Sequence, residues 1–349
     1  MADKFQYLKS IFPGVALALI FCFFSQGINN VLAIEIFGTE KSPISTVLIA
    51  ILLGILMGNA FTPRPGMMIG LDFTQQYILK LGIIFLGIRL SFTDLIKFGS
   101  VAIPLVIFCI LGVLILIKLL IKKVPISSKM SYLIAIGTSV CGATAIVATA
   151  PVINAKKTEI AYAIANITLF GVIAMLVYPY FAEWYFDNNA LEAGLFLGTS
   201  IHETSQVAAA GLIYDQQFNN PETLNVATVT KLIRNTFLVI LIPLFAFLYN
   251  RGEFKEQKYS IFSIFPYFVI GFIGMIVLRN LGDQFFSTES DNFYAWSKFI
   301  EYSKILATVF LTMAMAAVGI SINLSELKSM GYKPFVVGLI AATTVGIIS

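Results

Sequence analysis

Runs of about twenty apolar residues recur along the whole chain, and they leave its backbone few options. Hydrocarbon offers no hydrogen-bond partner, so a backbone inside it must satisfy itself as a helix or as a closed barrel. The runs lack period-two alternation and far exceed barrel strands of about ten residues, so helix is the predicted state. Pro, Gly and charge divide them into eleven segments, at about 11–34, 44–61, 74–90, 100–121, 131–154, 159–182, 190–214, 223–249, 260–281, 298–323 and 334–349. Only 12% of the 349 residues are charged, against about 25% in soluble domains. Mean hydropathy is +0.87. The expected fold class is an all-α polytopic membrane protein, a single transmembrane domain over residues 1–349 with a first half of about 1–182 and a second of about 183–349.

The first run follows Lys4 and Lys9 as a signal peptide would, but it is too long and lacks a small-residue cleavage site. It reads as a retained helix. Lysine and arginine in such a chain report topology rather than an acidic partner, so the net charge of +4 does not point to nucleic acid. Cys22, Cys109 and Cys141 all lie in apolar segments without metal-ligand or disulfide spacing, and no cofactor is implied.

With the N-terminus in the cytoplasm, the inside loops carry Lys4, Lys9, Arg64, Lys118, Lys122, Lys123, Lys129, Arg251, Lys255, Lys258, Lys328 and Lys333. Lys156 and Lys157 would fall outside, and Glu183, Asp187 and Glu192 inside, if segments five and seven crossed fully. Both anomalies vanish if those segments are re-entrant, the first dipping in from the cytoplasm and the second from the exterior. The expectation is nine spanning helices with two opposed re-entrant elements; discontinuous spanning helices are the alternative.

Both elements carry the same motif. Gly137-Thr138-Ser139-Val140-Cys141-Gly142-Ala143-Thr144 and Gly198-Thr199-Ser200-Ile201-His202-Glu203-Thr204-Ser205 are offset by 61 residues (198 minus 137). A second pair, Gly87 to Leu95 against Gly319 to Leu327, is offset by 232 (319 minus 87), and together the pairs suggest an inverted repeat. In each Gly-Thr-Ser motif, glycine permits a break, the hydroxyls can hold an ion or substrate, and the restarting helix aims its positive end into the cavity. Small residues also allow plain close packing of helices.

His202 is the sole histidine of the chain, and Glu203 follows it. A carboxylate in hydrocarbon must be paired, protonated or hydrated, so Glu203 is the candidate for a proton or coupling ion, with Gln206 beside it. Segment eight carries Lys231 and Arg234 on one helical face, where each mid-membrane cation costs about 2.5–3.5 kcal/mol on insertion scales. Glu203 is their expected partner, and an anionic substrate is the other way to balance them. Arg89 and Lys80 lie nearer the ends of segment three and can snorkel. Asn166 is a further polar group in an apolar segment.

These motifs, with Lys231-Leu232-Ile233-Arg234 and the run Leu81 to Leu90, resemble the YeiH family of bacterial inner-membrane proteins, usually named for sulfate export. The resemblance extends over most of the chain. It implies a fold similar to the sodium/proton antiporters and bile-acid symporters, and a plasma-membrane secondary transporter of sulfate or a related organic anion. The sequence departs from the family pattern at Ala143, where a second glycine is expected.

The expected function is therefore alternating-access transport of a small anion, coupled to H+ or Na+. Gly137, Thr138, Ser139, Gly142, Thr144, Gly198, Thr199, Ser200 and His202 would shape the substrate site, Lys231 and Arg234 would attract the anion, and Glu203 with Gln206 would serve the coupling ion. A homodimer is a candidate assembly. No nucleotide-binding motif is present for direct ATP drive. A passive anion channel is the alternative, and an intramembrane enzyme using Ser200 or Cys141 with His202 the remote one.

Overall fold

The computed structural model describes residues 2–36, 42, 44–61, 65–120, 127–249, 266–286, 293–323, 325 and 332–349, and every regular element among them is helical. In chain order the α-helices are α1 (Ala2–Val31), α2 (Thr46–Ala60), α3 (Pro65–Phe73), α4 (Leu79–Leu86), α5 (Phe92–Leu120), α6 (Ser128–Ser139), α7 (Ala143–Thr149), α8 (Lys157–Phe186), α9 (Ala190–Ser200), α10 (Thr204–Phe218), α11 (Pro221–Thr236), α12 (Leu238–Tyr249), α13 (Phe268–Phe285), α14 (Phe293–Ser321) and α15 (Tyr332–Ile348). Among the described residues, seven helical stretches are long and apolar enough to cross a membrane, and Thr46–Ala60 and Phe335–Ile348 are shorter apolar helices. Segment three begins at Pro65 rather than 74, because Asp72, Thr74 and Gln75 interrupt the apolar run without interrupting the helix. A π-helical turn at Thr74–Ile78 joins α3 to α4. Of the loop cations read for topology, Arg64, Lys122, Lys123, Arg251, Lys255, Lys258 and Lys328 lie outside the described residues.

The chain forms two compact units, and neither is a sequence half. The first comprises Met1–Leu95, Gly211–Asn225 and Phe268–Leu324; the second comprises Ile96–Ala210, Val226–Tyr267 and Ser325–Ser349. In the first, α2 lies against α14 where Gly54 meets Gly319, the small-residue approach that membrane helices favour. The second motif pair belongs to this unit, and its copies fold alike: Leu90 N–H donates to Gly87 O and Ile322 N–H to Gly319 O, both at 3.2 Å. Glu326 and Leu327, at the end of the second copy, lie outside the described residues.

The second unit holds the Gly-Thr-Ser pair, so each unit contains its own repeat. Leu133, Ile136, Ile146, Ile167, Val337 and Ala341 are part of its buried core, drawn from α6, α7, α8 and α15. Segment five is a hairpin. Lys129 at its start donates to the carbonyl of Asn154 at its end (2.7 Å), and Ser127 donates to Glu159 at the start of α8 (2.5 Å). Segment five thus returns to the end of α8 from which it set out.

Segment seven is a hairpin from the opposite end of α8. Asp187 and Asn188 turn the chain with positive φ, and the Asn189 side chain caps α9 by accepting from the Leu191 and Glu192 N–H groups. Phe196 packs on Tyr178, Phe181 and Phe186, whereas Gln206 reaches Gly171, so the chain descends along α8 toward its middle. It then reverses: Thr204 pairs with Asn235, and Gly211 packs on Leu224, so α10 runs antiparallel to α11. The two segments are helical hairpins that set out from opposite ends of α8.

Candidate functional site at the hairpin tips

The two hairpin tips fall in the same register of the repeat but turn differently, Val140 at φ −127° and ψ −91° and Ile201 extended at φ −88° and ψ 139°. The helices α6 and α9 end at Ser139 and Ser200, and α7 and α10 begin at Ala143 and Thr204, each pair 61 residues apart. Gly137 and Gly198 do not make the breaks, contrary to expectation. Both stand inside helices, where Gly137 faces Ile146 and Ile167, and Gly198 faces Ala227 and Thr230. The chain breaks three residues later, at 140–142 and 201–203.

Gly142 is the glycine that a break requires. Its φ is +68° with ψ −128°, and an added Cβ would lie 2.5 Å from Glu203 Cγ. Ala143 is already helical, so a second glycine there has no conformational task. Gly142→Ala is expected to destabilise the tip by about 1–3 kcal/mol, through strain and collision together. A thermal-unfolding midpoint in detergent equal to wild type would refute this.

A helix that ends inside a membrane leaves carbonyls without partners and places its negative dipole end there. Lys231 and Arg234, both fully buried on α11, meet that demand at both tips. The Lys231 ammonium donates to Val140 O (2.8 Å), Ile201 O (2.9 Å) and His202 O. The Arg234 guanidinium donates through Nε to Ser139 O (2.7 Å), through Nη1 to Thr199 O (2.6 Å) and Ile201 O (3.2 Å), and through Nη2 to Thr138 O. The bonds follow the repeat: Thr138 and Thr199 share Arg234, while Val140 and Ile201 share Lys231. The expected Glu203 partner is replaced by main-chain oxygens, and among the described residues no ion pair joins Glu203 to either cation.

Glu203 covers the other tip instead. Its side chain lies over Gly142 at the start of α7, with the Ala143 N–H and Lys231 in electrostatic reach. Gln206 accepts the Glu203 N–H (3.2 Å), holding the turn in place from α10. The motif hydroxyls donate backward along their own helices: Ser139 to Ala135 O, Thr199 to Leu195 O and Ser200 to Phe196 O, each at 2.6 Å. Their oxygens remain acceptors. His202 is buried, and among the described residues its Nδ1 has no partner, as is the case for Asn235 Oδ1. Thr144 is exposed on the first turn of α7 and does not join the carbonyl cluster.

An all-α chain with several membrane-length helices, two of its apolar segments interrupted and pinned by buried cations, defines a multi-pass membrane protein. The chain belongs to the family described as conserved hypothetical protein 698, whose model matches residues 13–338, and the YeiH-like resemblance of its motifs stands. It is 35% identical over 299 residues to a UPF0324 membrane protein of Streptococcus agalactiae, covering 86% of each chain. Similar proteins from Fusobacterium nucleatum (33% over 322 residues, 90% of this chain and 91% of the relative) and Clostridium tetani (28% over 357 residues, 98% and 96%) bear the same UPF0324 description. No solved structure matches.

Proposed function

We propose that this protein is a secondary transporter of a small anion, coupled to H+ or Na+ and working by alternating access in the bacterial plasma membrane with its N-terminus in the cytoplasm. The observation that carries this reading is the meeting of two opposed hairpin tips at Lys231 and Arg234. Irregular backbone at membrane depth survives where it lines a cavity, and opposed broken elements are the usual frame of such a site. Two cations and the single carboxylate of Glu203 leave the crossing with a net charge of +1 if all three are ionised, which favours an anion. Glu203 is the one carboxylate of the tips and supplies the exchangeable proton or the cation ligand. The commitment of the Ser200 hydroxyl to Phe196 O supports transport over a catalytic use of that serine.

Labelled sulfate taken up by proteoliposomes under imposed pH and sodium gradients tests the reading. Saturable uptake that follows one gradient and collapses with it is the expected result. Uptake that rises linearly with concentration and ignores both gradients would favour a channel, and the absence of flux for sulfate, methanesulfonate and acetate would discard anion transport.

A further inference from the structure

We infer that Arg89, in the first unit, is an oxyanion-binding residue whose unpaired guanidinium edge takes a sulfate-like or carboxylate ligand. The inference rests on the transport reading only for its use, since binding can be measured apart from flux. Of the cations inside apolar segments, Lys231 has all three donors committed, and Arg234 four of its five. Their charge acts at the crossing, but their hydrogen-bonding capacity is spent. Arg89 is the reverse case.

The Arg89 side chain packs inside the first unit. It is 14% exposed, and the residue follows α4 on a short turn just before the chain breaks at Leu90 and Ser91. Nη1 makes one bond to Asp215 of α10, at 3.2 Å. Among the described residues Nη2 has only the Thr308 hydroxyl at 3.5 Å, the outer limit of a hydrogen bond, and Nε is buried with no partner. The Nε/Nη2 edge is the one that grips two oxygens of a carboxylate, sulfonate or sulfate side by side. An arginine inside a membrane protein with that edge unspent is placed to serve a ligand rather than the fold.

The surroundings favour an anion. Lys304 lies within electrostatic reach of both Arg89 and Arg279. Arg279 is held by Asp283 at 2.6 Å, and Asp283 accepts from Trp296 as well (2.9 Å), so that pair is occupied with itself. Three cations against Asp215 and Asp283 leave one positive charge over. Asp215 is then an internal competitor: a carboxylate held by one bond, which an incoming oxyanion displaces.

The test is calorimetric binding of inorganic sulfate, methanesulfonate and acetate to the purified full chain, for wild type, Arg89→Lys, Arg89→Gln, Asp215→Asn and the neutral Arg89→Gln/Asp215→Asn pair. Arg89→Lys keeps the charge without the fork and is expected to weaken binding at least tenfold. Arg89→Gln and the double variant should abolish saturable binding, and Asp215→Asn should tighten it severalfold. Wild-type affinity in Arg89→Lys and the double variant, or no saturable binding of any probe to wild type, would overturn the inference. Gradient-driven flux that survives every Arg89 variant removes Arg89 and leaves the transport reading standing. Arg89-dependent binding without flux does the opposite.

Discussion

Replacing Arg234 with methionine is expected to cost the fold about 3–5 kcal/mol, the largest stability loss of any single side chain at the tips. Methionine fills a similar volume but donates nothing, so the carbonyls of Thr138, Ser139, Thr199 and Ile201 lose the guanidinium that joins the two hairpins. The negative ends of α6 and α9 would then face each other across buried space. In detergent, the unfolding midpoint should fall by roughly 10 °C or more, with loss of monodisperse protein in the extreme. Arg234→Lys should land between the two, since an ammonium reaches fewer of the four carbonyls. If Arg234 were instead an anion receptor, Arg234→Met would melt like wild type and merely fail to bind; that outcome would reverse the assignment.

The second large effect is functional. Glu203→Gln should remove the pH or sodium dependence of flux while leaving the protein folded. Glutamine keeps the shape of the side chain packed over Gly142 and an oxygen facing the start of α7, so the turn survives while the exchangeable charge does not. Uptake by the variant in proteoliposomes should change little when the coupling gradient is imposed or collapsed. The dependence that disappears identifies the coupling ion: loss of response to ΔpH assigns a proton, loss of response to sodium a sodium ion. A variant that keeps full gradient dependence would take Glu203 out of the mechanism.

Arg234 and Glu203 also mark the border between what residue order dictates and what packing adds. That the chain is helical and membrane-embedded follows from local quantities: run length, hydropathy and the absence of alternation are properties of consecutive side chains. That segments five and seven fold back as hairpins was legible for the same kind of reason, because Lys156 and Lys157 on one flank and Glu183, Asp187 and Glu192 on the other sit wrongly for full crossings. The 61-residue repeat marked both tips, and they do fold in one register.

The sequence pointed to the wrong glycines for the breaks and to a carboxylate partner for the cations. Gly137 and Gly198 open the motifs, yet a helix carries a glycine readily when a neighbour packs close, and only the backbone conformation singles out Gly142. The partners of Lys231 and Arg234 are carbonyl oxygens, which every residue possesses, so no residue type announces them. They become partners because two helices end at one place, residues 138–140 and 199–202 brought to a cation pair up to 96 positions away. Arg89 and Asp215, 126 residues apart, meet for the same reason. The order of residues by itself determined the membrane, the helices and the broken segments, since each depends on neighbours in the chain; which donor meets which acceptor was decided by tertiary structure, since hydrogen bonds form between atoms close in space whatever their separation in sequence.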